Sequence, residues 1–313
     1  MKLAFVIDPV SQLKAYKDSS VAMMREAAKR GHALYVMRQQ DILLRDRQVL
    51  AFAKPLQLAG DTPDWYQLGM ATVTPLHAFD AVLMRKDPPF DTEYLYTTHL
   101  LERAVAQGAR VLNRPAALRD FNEKLAIARF PQFTVPTLVS RRADVIKQFL
   151  NEYGDVILKP LDGMGGAGIF RVRNDDANLN VIIETLTQLE TRTIMAQRYI
   201  PEISAGDKRI LLIDGQPVPY ALARIPAKGE TRGNLAAGGR GVAQPLTARD
   251  REIATTLGAV LRESGLFLVG LDVIGDYLTE INVTSPTGLV EITQQTDCNV
   301  AGLLLDALEQ QCA

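Results

Sequence analysis

Ile157-Leu158-Lys159-Pro160-Leu161-Asp162-Gly163-Met164-Gly165-Gly166-Ala167-Gly168 is the stretch whose reading decides the fold. Gly163-x-Gly165-x-x-Gly168 has the spacing of a dinucleotide fingerprint. That fingerprint works only where the glycines open a helix, so that pyrophosphate meets the helix N-terminus. Here Ile169-Phe170-Arg171-Val172 follows, which reads as a strand. Glu184 lies within a helical pattern, not at a strand end. No Lys-Ser/Thr pair follows the glycines, so Walker A fails too. The segment is therefore a strand–loop–strand hairpin. Its backbone amides can close over phosphates, with Lys159 as a point charge at the end of the preceding strand. Lys124 is a second candidate.

Two further segments carry chemistry. Asp272 on one strand, and Glu280 and Asn282 on the next, supply the oxygen donors that a hard cation wants. Glu280 and Asn282 are two apart, so they share a face. A three-residue loop, Gly275 to Tyr277, would pair Asp272 with Glu280; a two-residue loop would put them on opposite faces. The odd loop, with a glycine or bulge, is expected. The apolar run Leu266-Phe267-Leu268-Val269 suits a buried strand, where acidic groups need paired charges or a metal. Residues 226–241 form a long loop with five glycines. Arg232 and Arg240 lie in it and Arg224 ends the strand before it. Long loops of this kind are functional lids or disorder, and arginine suits carboxylate or phosphoryl oxygens. A lid that excludes water protects an activated acyl intermediate.

The rest of the chain frames these segments. Residues 1–121 alternate strand and helix: strands 2–8, 33–37, 81–84 and 110–113, with a helix from Val21 to Arg30 and another from Thr92 to Gly108. That order argues a parallel sheet with helices on both faces, ligands binding at strand carboxyl ends. Arg85, Lys86 and Asp87 sit at one such end. Residues 122–200 read as an α+β module, entered by a helix near 115–130. Residues 201–313 read as a third unit with strands 209–213, 218–225, 266–274 and 278–283 and a helix 248–264. The tail from residue 298 is apolar at helical spacing.

Composition narrows the field. The chain has 313 residues and a net charge of −1, which gives no reason to expect nucleic acid. No apolar run approaches the roughly 18 residues of a membrane helix. The apolar start stops at Asp8, so it reads as a buried strand, not a signal peptide. Cys298 and Cys312 make no disulfide framework, and a reducing cytoplasm is expected. No Ser-His-Asp or Cys-His arrangement stands out.

Together these segments resemble the ATP-grasp superfamily, and within it bacterial-type glutathione synthetase. The likeness runs nearly full length. Its most specific stretches are Met84-Arg85-Lys86-Asp87-Pro88-Pro89-Phe90-Asp91, Leu158 to Gly166, Gly229 to Gly241, and Leu278 to Thr287. The resemblance implies an α/β and α+β ATP-grasp fold with an N-terminal Rossmann-like (pre-ATP-grasp) parallel-sheet domain. Its parts would be an N-terminal substrate domain (1–121), a central lid domain (122–200) and a C-terminal domain with metal site and arginine loop (201–313). It implies Lys124, Lys159 and the glycines Gly163, Gly165 and Gly166 on ATP phosphates. Gln197, Arg198, Tyr199 and Ile200 would form the adenine hinge, with Asp207 near the ribose. Asp272, Glu280 and Asn282 would be the Mg²⁺ ligands, Mn²⁺ being able to substitute. Arg85, Arg209, Arg224, Arg232 and Arg240 would contact carboxylate or phosphoryl oxygens, and Arg232, Arg240 and Lys159 would be catalytic. Ser285, Thr287 and Gly288 would line the acceptor end. The implied substrates are ATP, γ-glutamylcysteine and glycine, and the implied assembly a homotetramer. The rivals are another carboxylate–amine ligase of the D-alanine–D-alanine type and a nucleotide-binding regulator without turnover.

Overall fold

The computed structural model describes residues 1–60, 64–227, 233 and 238–313. β1 (Lys2–Val6), α1 (Ser19–Lys29) and β2 (Ala33–Met37) come first. Asp18 caps α1, its carboxylate accepting from Val21 N–H at 2.9 Å. Then follow β3 (Ile42–Arg45), β4 (Gln48–Leu58), β5 (Tyr66–Leu68), β6 (Thr72–Pro75), β7 (Ala81–Met84), α2 (Thr92–Ala106), β8 (Val111–Leu112) and α3 (Pro115–Asp120). The sheet order is β3-β4-β2-β1-β7-β8, with β5 and β6 also on β4. β1 runs parallel to β2 and β7, and β7 to β8, as the βα alternation requires.

The other half of the sheet is antiparallel, which the βα reading does not contain. β4 pairs antiparallel with β2, β3, β5 and β6. Its period is strict: Val49, Ala51 and Ala53 are buried while Gln48, Phe52 and Lys54 are exposed. Two alanines and Pro55 hide that period, because neither residue type favours strands.

The middle unit comprises β9 (Thr137–Ser140), α4 (Ala143–Tyr153), β10 (Asp155–Pro160), β11 (Phe170–Arg173), α5 (Leu179–Thr187) and β12 (Ile194–Arg198). Its antiparallel sheet has the order β11-β10-β12-β9. Ile146 and Leu150 of α4, Ile183 and Leu186 of α5, and Val156, Leu158, Val172 and Ala196 of the sheet form a hydrophobic core of their own. The helix expected near 115–130 is broken. α3 stops at Asp120 and a 3₁₀ turn resumes at Leu125. Between them Asn122 accepts from the N–H groups of Lys124 and Leu125, a local bond that competes with helix.

The third unit comprises β13 (Asp207–Ile213), β14 (Gln216–Ile225), β15 (Arg240–Pro245), α6 (Ala248–Glu263), β16 (Leu268–Ile274), β17 (Tyr277–Asn282), α7 (Leu289–Gln295) and α8 (Val300–Cys312). The sheet order is β15-β14-β13-β16-β17, antiparallel throughout. One face lies on α6, where Lys208 is buried against Asp250, itself half of the Thr247/Asp250 capping box. The opposite face carries Arg209, Arg224, Asp272, Glu280 and Asn282.

Asn113 sews the first sheet to the third. Its amide donates to Leu268 O (2.9 Å) and Val283 O (2.7 Å) and accepts from Phe267 and Leu268 N–H (2.7 and 2.9 Å). Losing that side chain would strand four buried backbone groups, at about 1–3 kcal/mol each. α8 closes the same joint. Leu304, Leu305 and Leu308 share a core with Leu3, Phe5 and Met23, and Arg30 reaches Asp306 and Glu309 at 2.8 and 3.0 Å. No helix among the described residues is long and apolar enough to cross a membrane.

Candidate active site

A cleft of about 330 Å³ opens between the middle sheet and the charged face of the third sheet. That size suits a small-molecule site, about 300–1,000 Å³. β10 and β11 hold the glycine hairpin on one side, as the sequence predicts. Gly165, Gly166 and Gly168 sit at φ +63°, +82° and +70°, a region that glycine enters freely. A Cβ on Gly163 would meet Pro160 Cγ at 3.0 Å, so the turn closes tightly after the strand.

Lys124 and Lys159 stand beneath this hairpin, both buried. Lys124 Nζ donates to Gly163 O at 2.6 Å, and Lys159 Nζ donates to Thr279 O at 3.3 Å. Both ammonium groups face Glu280, at 3.6 and 3.8 Å. Burial holds the Lys159 ammonium below the usual lysine value, Glu280 opposing that shift and Lys124 adding to it. The site is therefore ready to receive anionic oxygen.

Across the cleft, Asp272 pairs with Glu280 as expected, but by another route. The turn has two residues, Gly275 and Asp276, with Ile274 opposite Tyr277 and Val273 opposite Leu278. Thr279 is then the extra residue of a bulge, and it restores the pairing. Its hydroxyl donates to Asp272 O at 3.1 Å.

Asp272 is also the anchor of two arginines. Arg209 grips it twice, at 2.5 and 3.0 Å, and Arg224 Nη2 lies 2.8 Å from its Oδ2. Burial would raise this carboxyl, but the two guanidinium groups outweigh burial and hold it well below the carboxylate range. Arg224 reaches Asp207 as well. Burial pushes Asp207 up to about 7 against the pull of Arg224, with repulsion from Asp272 and Glu280 adding to it. Gly270 leaves room for the Arg209 stem: a Cβ there would meet Arg209 Cδ at 2.7 Å.

The donor chemistry fits a hard divalent cation. Asp272, Glu280 and Asn282 line one wall with two carboxylates and an amide oxygen. Asp272 Oδ2 already takes bonds from both arginines, so Oδ1, with one, is the oxygen that keeps a lone pair for a cation. No cluster of three or more His, Cys, Asp or Glu gathers among the described residues. A metal would thus share its shell with substrate oxygens.

At the far end, Ile157, Ile169, Ile200, Ile203 and Ile274 make an apolar wall beside residues 197–200. The Gln197 amide is bound to Thr137, and the N–H groups of Arg198 and Tyr199 are spent on Pro136 O and Asp155 O.

Gln197, Arg198, Tyr199, Ile200, Asp207, Ser285 and Thr287 all line the cleft. Three residues expected in the site are not part of its lining. Arg85 is buried beside it, bonded to Ser20 and Pro286 O, with Nη1 unpartnered. Gly288 caps α7 behind Arg209. Arg240 is exposed as the first residue of β15, so the expected loop is shorter at that end. Arg232 lies outside the described residues. Asp87, of the Met84–Asp91 stretch, lines the cleft as its strand-end position predicts, and so does Glu123, which belongs to none of the motifs.

Two sheets that grip a nucleotide-sized cleft between a glycine hairpin and an acidic strand pair define the ATP-grasp ligases, and this chain is one. Residues 1–119 match the prokaryotic glutathione synthetase N-terminal domain, and residues 123–297 match the prokaryotic glutathione synthetase ATP-grasp domain. The glutathione synthetase of Nitrosomonas europaea is 64% identical, over 100% of this chain and 99% of that protein. That of Pseudomonas aeruginosa is 56% identical, over 100% and 99%. Among solved structures, the D-cycloserine synthetase DcsG superposes with a TM-score of 0.71 at 17% identity, covering 100% of both chains. The ATP-grasp ligase PsnB, complexed with minimal precursor, Mg and ADP, gives 0.63 at 19% identity, covering 99% and 98%. These two share the fold. The chain belongs to the prokaryotic glutathione synthetase family, and is an ATP-dependent ligase of glutathione biosynthesis.

Proposed function

We propose that the cleft joins γ-glutamylcysteine to glycine in two steps. The cysteinyl carboxylate attacks the γ-phosphorus of ATP; an O–P bond forms, the bond to ADP breaks, and an acyl phosphate results. The glycine amine then attacks the acyl carbon, and the C–O bond to phosphate breaks. No protein nucleophile is required, so the residues act by position and charge. Lys124, Lys159 and the hairpin of Gly163, Gly165 and Gly166 hold phosphate oxygens. The apolar wall and the 197–200 hinge hold the base, and Asp207 stands near the ribose.

Arg209 and Arg224 are fixed by Asp272 yet keep N–H groups for substrate carboxylates. Arg85, Arg232, Arg240, Ser285, Thr287 and Gly288 complete the substrate end in this reading, and Arg232 and Arg240 belong to the lid. Asp272, Glu280 and Asn282 would hold Mg²⁺, Mn²⁺ being able to substitute. Bound there, the cation would neutralise charge on the transferring phosphoryl group. Three units, residues 1–121, 122–200 and 201–313, move as substrate, lid and metal domains. The family likeness extends the proposal to a cytoplasmic homotetramer, which light scattering checks.

The observation that carries this reading is the convergence of both buried lysines on Glu280 across the cleft. The test is Mg²⁺-dependent phosphate release from ATP, with γ-glutamylcysteine and glycine omitted in turn. Release should need both, with glutathione formed one for one. Release with other amino acids in their place would point to a different carboxylate–amine ligase. No release under any combination would sink the proposal.

A further inference from the structure

Beyond Asn282 the metal strand turns into the rim of the cleft, and a single carboxylate oxygen holds that turn. Glu123 Oε1 accepts from Val283 N–H at 2.9 Å, from Thr284 N–H at 3.0 Å and from the Thr284 hydroxyl at 2.8 Å. The Glu123 backbone carbonyl accepts from Ile281 N–H at 2.8 Å, between Glu280 and Asn282. The next residue in the chain is Lys124, whose Nζ donates to Gly163 O at 2.6 Å. Residues 123 and 124 thus tie β17, the rim turn and the glycine hairpin together.

The charge pattern is informative. Glu123 lines a cleft that holds Lys124, Lys159, Arg209 and Arg224. Among the described residues it forms an ion pair with none of them, whereas Glu280, Asp207 and Asp272 each do. A carboxylate that ignores nearby cations in favour of backbone donors is shaping a turn. That turn separates Asn282 from Ser285, so its conformation sets the placement of both.

We propose that Glu123 is a positioning residue for the metal strand. It fixes the turn after Asn282, so that the oxygens of Glu280 and Asn282 face the cleft and the Ser285–Thr287 rim keeps its place relative to Lys124. The proposal rests on the metal reading of Glu280 and Asn282 given above. Ligand-orienting groups of this kind typically contribute about 10- to 100-fold in metal affinity or activity.

The test is Mn²⁺ binding in the presence of ADP, followed by the electron paramagnetic resonance of free Mn²⁺, together with kcat and metal-free ADP binding by calorimetry. Glu123→Ala should weaken Mn²⁺ by about 10- to 100-fold and lower kcat in parallel, with metal-free ADP binding unchanged. Glu123→Gln keeps one oxygen for the turn and should recover most of both. Thr284→Val, which removes one of the three bonds, should fall between. Should Glu123→Ala not fold, the graded losses in the other two variants decide. Mn²⁺ affinity equal to wild type in Glu123→Ala, or in both milder variants, would overturn the proposal. So would Glu123→Gln being as damaged as Glu123→Ala, because charge alone would then be the requirement. Wild-type protein that held no Mn²⁺ with ADP would remove the metal reading itself.

Discussion

Glu280→Gln should lower turnover by about two to three orders of magnitude and leave a folded protein. Glu280 faces two ammonium groups at 3.6 and 3.8 Å, beyond direct hydrogen-bond range. Its side chain keeps 21% of its exposure, so water already screens these pairs. The two ammonium groups are buried, so losing this anion costs some stability too, less than the about 3–5 kcal/mol of a fully buried, hydrogen-bonded pair. The charge matters mainly to the reaction. An amide cannot match a carboxylate as a ligand for a hard cation. It also leaves Lys124 and Lys159 to repel each other with no anion between them. Mg²⁺ titration of phosphate release should show weaker metal dependence as well as lower kcat, with the circular dichroism unchanged. Wild-type turnover at ordinary Mg²⁺ would remove Glu280 from the ligand set.

Asp272→Asn should behave differently, losing activity and fold together. Asp272 is 2% exposed and is gripped by Arg209 and Arg224 at once. Breaking a buried pair from one side leaves an uncompensated charge, at about 3–5 kcal/mol. Most of that cost falls on Arg209. Arg224 retains Asp207, whose carboxyl ionises more readily once the repulsion of Asp272 is gone. The pH dependence has a definite sign. A carboxyl held below its unfolded value, about 3.9, stabilises the protein above that pH. Its contribution disappears only as strong acid protonates the folded state. The wild-type advantage over Asp272→Asn should therefore be present at pH 7, begin to shrink as pH falls through about 4, and vanish only in strong acid. Chemical denaturation at both pH values measures it. A denaturation midpoint equal to wild type at pH 7 would mean that Asp272 is not the anchor.

Much of this arrangement is legible in the chain because it is local. A glycine hairpin between two strands, or two oxygen donors on one strand face, needs only a dozen residues. Glu280 and Asn282 share their face by the two-residue period alone. What is not legible depends on distant partners or on irregular backbone. The bulge at Thr279 does by another route what a three-residue loop would have done, and both are compatible with the same letters. The two arginines on Asp272 arrive from strands 63 and 48 positions away, where no spacing rule reaches. Glu123 and Asn113 are single polar residues whose roles exist only in contact with residues far along the chain. The antiparallel half of the first sheet hides behind alanines and a proline, which bury well but advertise no strand.

The separate core of the middle unit has a consequence for the life of the protein in solution. Ile146, Leu150, Leu158 and Ile183 pack with one another, apart from the two larger cores. That unit can therefore open as a foldon of its own, at a free energy below that of global unfolding. The cleft is lined by its sheet and by the third sheet together, so on the proposed function a bound nucleotide would stabilise the weaker partner directly. At a hundredfold excess over Kd the gain is about 2.7 kcal/mol. On the proposed function, nucleotide supply would set how long the middle unit stays shut to proteases, which limited proteolysis with and without ADP measures.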